Sequence, residues 1–214
     1  MQKKTQKLTV YVIVGLLIIS LVGTSFMFLG DMRPTVGKNY QDQINSLKQA
    51  LEANPQDTQT RLALADTYYD WGMQTLSQDM AEENLATTTS ILQQAVTEYQ
   101  EVLKTEKNVN ILVDMATAAF YTSQNELADQ TFQEALQEDP NFYNGLYNYG
   151  VFLYSQGDYG KAIEQWEKAL ALENISTDDK ERLERNIKLA QDGIVQQFQQ
   201  PENGDSSDAN AEAK

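Results

Sequence analysis

The residues in this chain best suited to acid–base or metal chemistry are two adjacent carboxylate pairs, Glu82-Glu83 and Asp178-Asp179. Both fall in segments expected to be exposed helix ends or an insert, where solvated charge accounts for them. Nothing else completes a catalytic set. The 214 residues include no histidine, the commonest neutral-pH base and transition-metal ligand, and no cysteine. No glycine-rich phosphate loop, nucleophile elbow or metal-ligand spacing is present, so no enzyme, cofactor or metal site is expected. With 31 Asp plus Glu against 16 Lys plus Arg, the formal net charge is −15, which a phosphate backbone would repel. Nucleic acid is therefore excluded as a partner, and binding through side-chain surface is the chemistry left.

Two kinds of element have to position such a surface. The first is an apolar, uncharged run from Leu8 to Leu29, long enough as a helix to cross roughly 30 Å of hydrocarbon. It exceeds a signal-peptide core, and Phe26-Met27-Phe28-Leu29-Gly30 offers no small-x-small cleavage site, so a retained anchor is expected. Lys3, Lys4 and Lys7 precede it, while only Arg33 and Lys38 follow, with Asp31 between the run and Arg33. The positive-inside bias then places residues 1–7 in the cytoplasm, a single-pass transmembrane helix at 8–30 in the cytoplasmic membrane, and the rest outside the cytoplasm.

The second kind is a series of helices. Past a linker at 31–39, the four prolines (Pro34, Pro55, Pro140, Pro201) all lie between periodic segments, and no stretch shows sustained strand-like alternation. The periodic segments repeat. Ala128, Phe132, Ala135 and Leu136 recur as Ala162, Trp166, Ala169 and Leu170, an offset of 34, as Met115 and Ala116 recur as Tyr149 and Gly150. One step back, Ala95, Tyr99, Val102 and Leu103 stand at an offset of 33. Small residues fall where two helices would cross closely, and large ones fill the space beside them.

This pattern resembles the tetratricopeptide repeat family, most closely in Asn148-Tyr149-Gly150, Gly157-Asp158-Tyr159 and the run Lys161-Ala162-Ile163 to Trp166 and Lys168-Ala169-Leu170. The expected fold is all-α, a solenoid of helical hairpins with about three repeats plus flanking cap helices, behind the membrane helix. Its parts are a half-repeat at 40–55, repeat one with an insert at 56–107, repeat two at 109–140, repeat three at 143–174 and a cap helix at 177–199. The insert, about Met73 to Ser90, carries Leu76, Met80, Ala81 and Leu85 at helical spacing and is expected to lengthen both helices of its hairpin. The tail at 201–214 is acidic, lacks large apolar residues and is expected to be disordered.

The resemblance further implies a concave groove lined by the first helix of each unit. Carried over by position, it would present Leu62, Asp66, Tyr69 and Asp70, then Asn110, Val113, Asp114, Thr117, Phe120 and Tyr121, then Asn144, Tyr147, Asn148, Val151 and Tyr154. Relatives that clamp a C-terminal carboxylate use basic residues there; this chain has none at those positions, so a neutral, aromatic or basic segment of a protein or peptide is the expected guest. The implied function is a membrane-tethered interaction scaffold, an adaptor for assembly of an envelope or secretion complex. The alternative is a structural, self-associating membrane protein with no separate client, a homo-oligomer in which Ser20, Gly23 and Thr24 let spans pack closely.

Overall fold

The computed structural model describes residues 38–78 and 82–199. The expected membrane helix at 8–30 and the tail at 201–214 lie outside the described residues. Among the described residues, no helix is long and apolar enough to cross a membrane.

Every regular element in these residues is an α-helix. In chain order they are α1 (Lys38–Ala53), α2 (Thr58–Gln78), α3 (Glu82–Val102), α4 (Val109–Tyr121), α5 (Asn125–Glu138), α6 (Tyr143–Ser155), α7 (Tyr159–Leu170) and α8 (Thr177–Gln199). Local chemistry marks the starts. Asp57 accepts the backbone N–H groups of Gln59 and Thr60, each at 3.1 Å, at the mouth of α2. These bonds, with the Thr60 hydroxyl first among them, hold its carboxyl below the usual range. Asn108 caps α4 through the Asn110 N–H at 2.8 Å, and Ser176 caps α8 through the Asp179 N–H at 3.1 Å.

Three hairpins stack side by side, α2 with α3, α4 with α5, and α6 with α7; α1 packs on α2, and α8 on α7. The bulky residues at the repeating spacing, Tyr99, Phe132 and Trp166, are all fully buried, and the alanines and glycine opposite them let the helices close over the rings. Burying side chains of this size contributes roughly 1.5–3 kcal/mol each before ordering costs. The N-terminal half-repeat covers the first hairpin with Ile44, Leu47 and Leu51, and Tyr40 stacks on Trp71 with ring centroids 6.2 Å apart.

The insert is helical on both sides. α2 and α3 are each 21 residues long, against 12 to 14 for the helices of the other hairpins, and Met73, Leu76, Ile91 and Leu92 carry the apolar contact outward. Leu85 is exposed, so the stripe runs out before the first turns of α3.

The turn inside the second hairpin is strained by its own residue. Gly157 enters the left-handed region at φ 81° between α6 and α7, and Ser123, 34 residues earlier, must do the same at φ 61°. Left-handed backbone costs a residue with a Cβ roughly 1–2 kcal/mol, whereas glycine loses more entropy on folding, roughly 0.5–1 kcal/mol. Ser123→Gly is therefore expected to stabilise the fold by about 0.5–1 kcal/mol, read as a higher urea midpoint at unchanged m-value.

Candidate interaction groove

The first helices of the second and third hairpins, α4 and α6, pack on one another, and a hydrogen bond crosses between them. Asn148 of α6 donates to Thr117 Oγ1 of α4 at 3.3 Å, and Tyr69 of α2 lies near the same threonine. Thr117 spends its own proton on the Val113 carbonyl at 2.7 Å. Three residues from three units are thus brought together on one face.

Only part of the expected lining stays open on that face. Asp66, Asp70, Asn110 and Asn144 are exposed, and Leu62, Tyr69, Asp114, Phe120, Tyr121 and Asn148 are partly buried. Val113 and Thr117 are buried, because α6 packs on α4 at that stripe, with Gly145 beside Val113 and Asn148 on Thr117. Tyr147, Val151 and Tyr154 are buried as well, which corrects their expected place on an open surface. Two kinds of contact account for it. The Arg182 guanidinium of α8 lies 4.6 Å from the Tyr147 ring centroid and donates to the Tyr143 hydroxyl at 3.1 Å, and Asn186 donates to the Tyr147 hydroxyl. Tyr154 leans on Trp166 and Tyr159, whose ring in turn abuts Gly193 of α8. A solenoid end must be covered, and α8 covers this one.

At the other end the groove is acidic. Asp66 and Asp70 lie on α2 and Asp114 on α4, with Tyr69 and Tyr99 near them. Tyr99 was not among the groove residues expected from sequence. It stands at a core position of a second helix, but its hydroxyl donates to Asp66 Oδ1 at 2.8 Å from below. A tyrosine where Phe132 and Trp166 stand in the other units is the signal, since a buried hydroxyl needs a partner. Burial, then the charges of Asp114 and Asp66, hold the Tyr99 proton far above the usual phenol range.

The carboxyls are raised too. Partial loss of hydration lifts the exposed Asp66 against the lowering effect of the Tyr99 bond, and the same effect plus the Asp66 charge lifts Asp70. Asp114 is pushed up to about 7, by burial first and then by the charges of Asp66 and Asp70. Among the described residues no set of three or more Asp or Glu converges closely enough to hold a metal ion.

Residues 113–179 match the family model described as tetratricopeptide repeat. Residues 38–199 form an all-α helical repeat solenoid, tetratricopeptide-like in the matched part. Two crystal structures of MamA share this solenoid fold. One has a TM-score of 0.54 at 17% identity, covering 76% of this chain and 92% of that one. The other has a TM-score of 0.54 at 21% identity, with 73% and 74% covered. Among curated proteins, this chain is similar to the formate-dependent nitrite reductase complex subunit NrfG of Escherichia coli O157:H7. They are 26% identical over 157 residues, spanning 72% of this chain and 70% of the relative.

Proposed function

We propose that this chain is a non-catalytic interaction scaffold that holds a segment of a partner protein in the open part of its concave groove. The observation that carries the reading is the asymmetry of that face. Its third unit is closed by α8, whereas the first two leave acidic, aromatic and amide side chains open on rigid helices. Surfaces of this make-up recognise peptides: tyrosines give contact area at low entropy cost, and asparagines satisfy backbone groups. Similarity to a subunit of an enzyme complex supports a role as an assembly subunit. The apolar run at 8–30 would tether it to the cytoplasmic membrane with the solenoid on the far side, where envelope or secretion complexes assemble.

Photo-crosslinking in intact membranes tests the reading. A crosslinker at Asp70 or Asn110 is expected to capture a distinct protein, and one at exposed Gln130 on α5 is not. Recovery of self-crosslinked species alone would replace the scaffold with the self-associating alternative.

A further inference from the structure

We propose that the cleft between the second and third hairpins binds a leucine-type side chain of a partner protein together with the peptide group beside it.

The cleft lies where the end of α5, the turn after it, the first turn of α6 and the end of α7 meet, and its volume is about 430 Å³. Sites that hold small molecules or a few side chains run from about 300 to 1,000 Å³. None of its residues belongs to the concave groove, so it is a separate surface. Its walls are apolar, formed by Leu136, Pro140, Leu146 and Leu172. Among them stands Gln165, only 8% exposed, whose side-chain amide makes no hydrogen bond to any described residue. A carboxamide buried this far normally has partners within the protein.

The first unit shows how that need is met elsewhere. Two units back, at the successive offsets of 34 and 33, the position of Gln165 holds Glu98, bonded to Arg61 of the first helix at 2.8 Å. In the third unit Leu146 takes the place of Arg61: it precedes Gly150 as Arg61 precedes Ala65. The polar partner is gone, and a cleft stands beside the amide instead.

The chemistry of the opening selects the guest. Lys168 at the rim is already neutralised by Glu164 at 2.8 Å, so the site calls for no charge. Apolar walls gain most from an aliphatic side chain. A carboxamide offers N–H donors and an oxygen acceptor, the complement of a peptide group, which offers one of each. A leucine with its adjoining peptide group satisfies both.

Titration of the full chain in lipid nanodiscs with N-acetyl-leucine methylamide, followed by NMR, tests this. The Gln165 side-chain amide and the methyls of Leu136, Leu146 and Leu172 are expected to shift along one saturating curve, with a Kd roughly millimolar for a probe this small. The analogue methylated on both nitrogens keeps the side chain and loses the donors, and should bind the native chain about fivefold more weakly. Gln165→Met keeps the length and removes the amide, so there the two probes should bind equally. Ala171→Trp, at an exposed position lining the cleft, should abolish the shifts without lowering the melting temperature. Shifts that never saturate, shifts that persist in Ala171→Trp, or a methylated analogue that binds the native chain as tightly as the parent would overturn the site. Any of these would leave the groove reading standing, because the cleft shares no residue with it.

Discussion

Asp114→Asn should raise the melting temperature of the chain at pH 8 by about 4–8 °C and change it little at pH 4. The folded carboxyl is held near 7, whereas an unfolded aspartate titrates near 3.9. A raised carboxyl favours the protonated form in the fold, so its favourable contribution is fully present below about 4 and is lost as pH rises through 7. Above 7 the fold carries an ionised, partly buried carboxylate that feels the charges of Asp66 and Asp70. Three units of difference correspond to a ceiling of about 4 kcal/mol, and solvent at the open groove reduces this to about 2 kcal/mol. A domain of this size gains about 2–4 °C for each kcal/mol. Asparagine keeps the shape and removes the charge. Circular dichroism melts of both proteins at pH 4 and pH 8 check it; equal shifts at both would mean Asp114 is not the ionising group.

Thr117, one turn along, should respond in the opposite sense to substitution, because its side chain is buried and accepts from Asn148 of α6.

The solenoid was legible because its signal is redundant. Ala128, Phe132 and Ala135 repeat as Ala162, Trp166 and Ala169, and each repeat demands the same close crossing and the same plug. The groove was less legible, since exposure on a first helix depends on the helix beside it. Val113 and Asp114 are adjacent in sequence, yet one is buried between helices while the other faces the open acidic end. For Tyr147 the deciding neighbour is 35 residues further on, at Arg182, and nothing in the spacing of α8 says which face of α6 it will touch. Tyr99 shows a subtler limit: periodicity assigns the ring to the core and does not report where its hydroxyl emerges.

Gly150→Ala should cost the fold roughly 2–4 kcal/mol, even though alanine is the better helix former. Inside a helix the exchange is worth about 1 kcal/mol in alanine's favour. Against that, a Cβ at residue 150 would lie 2.3 Å from Trp166 Nε1 and 2.6 Å from Cδ1, distances that real contacts do not reach. The indole is fully buried and donates to the Tyr147 carbonyl at 3.1 Å, so it cannot swing aside without breaking that bond. Overpacking costs about 1–3 kcal/mol, and an orphaned buried carbonyl or N–H about as much again. Steric and hydrogen-bond losses together exceed the propensity gain. Gly160→Ala supplies the control, because nothing lies within 4 Å of its added Cβ; there the propensity term should act alone and raise stability slightly. Urea midpoints of both variants decide the sign in each case. The origin of the loss is then fixed by a double-mutant cycle with Trp166→Leu. If the indole is the obstacle, Gly150→Ala should cost less than about 1 kcal/mol once the ring is gone. An unchanged cost in that background would place the strain in the α6 backbone instead.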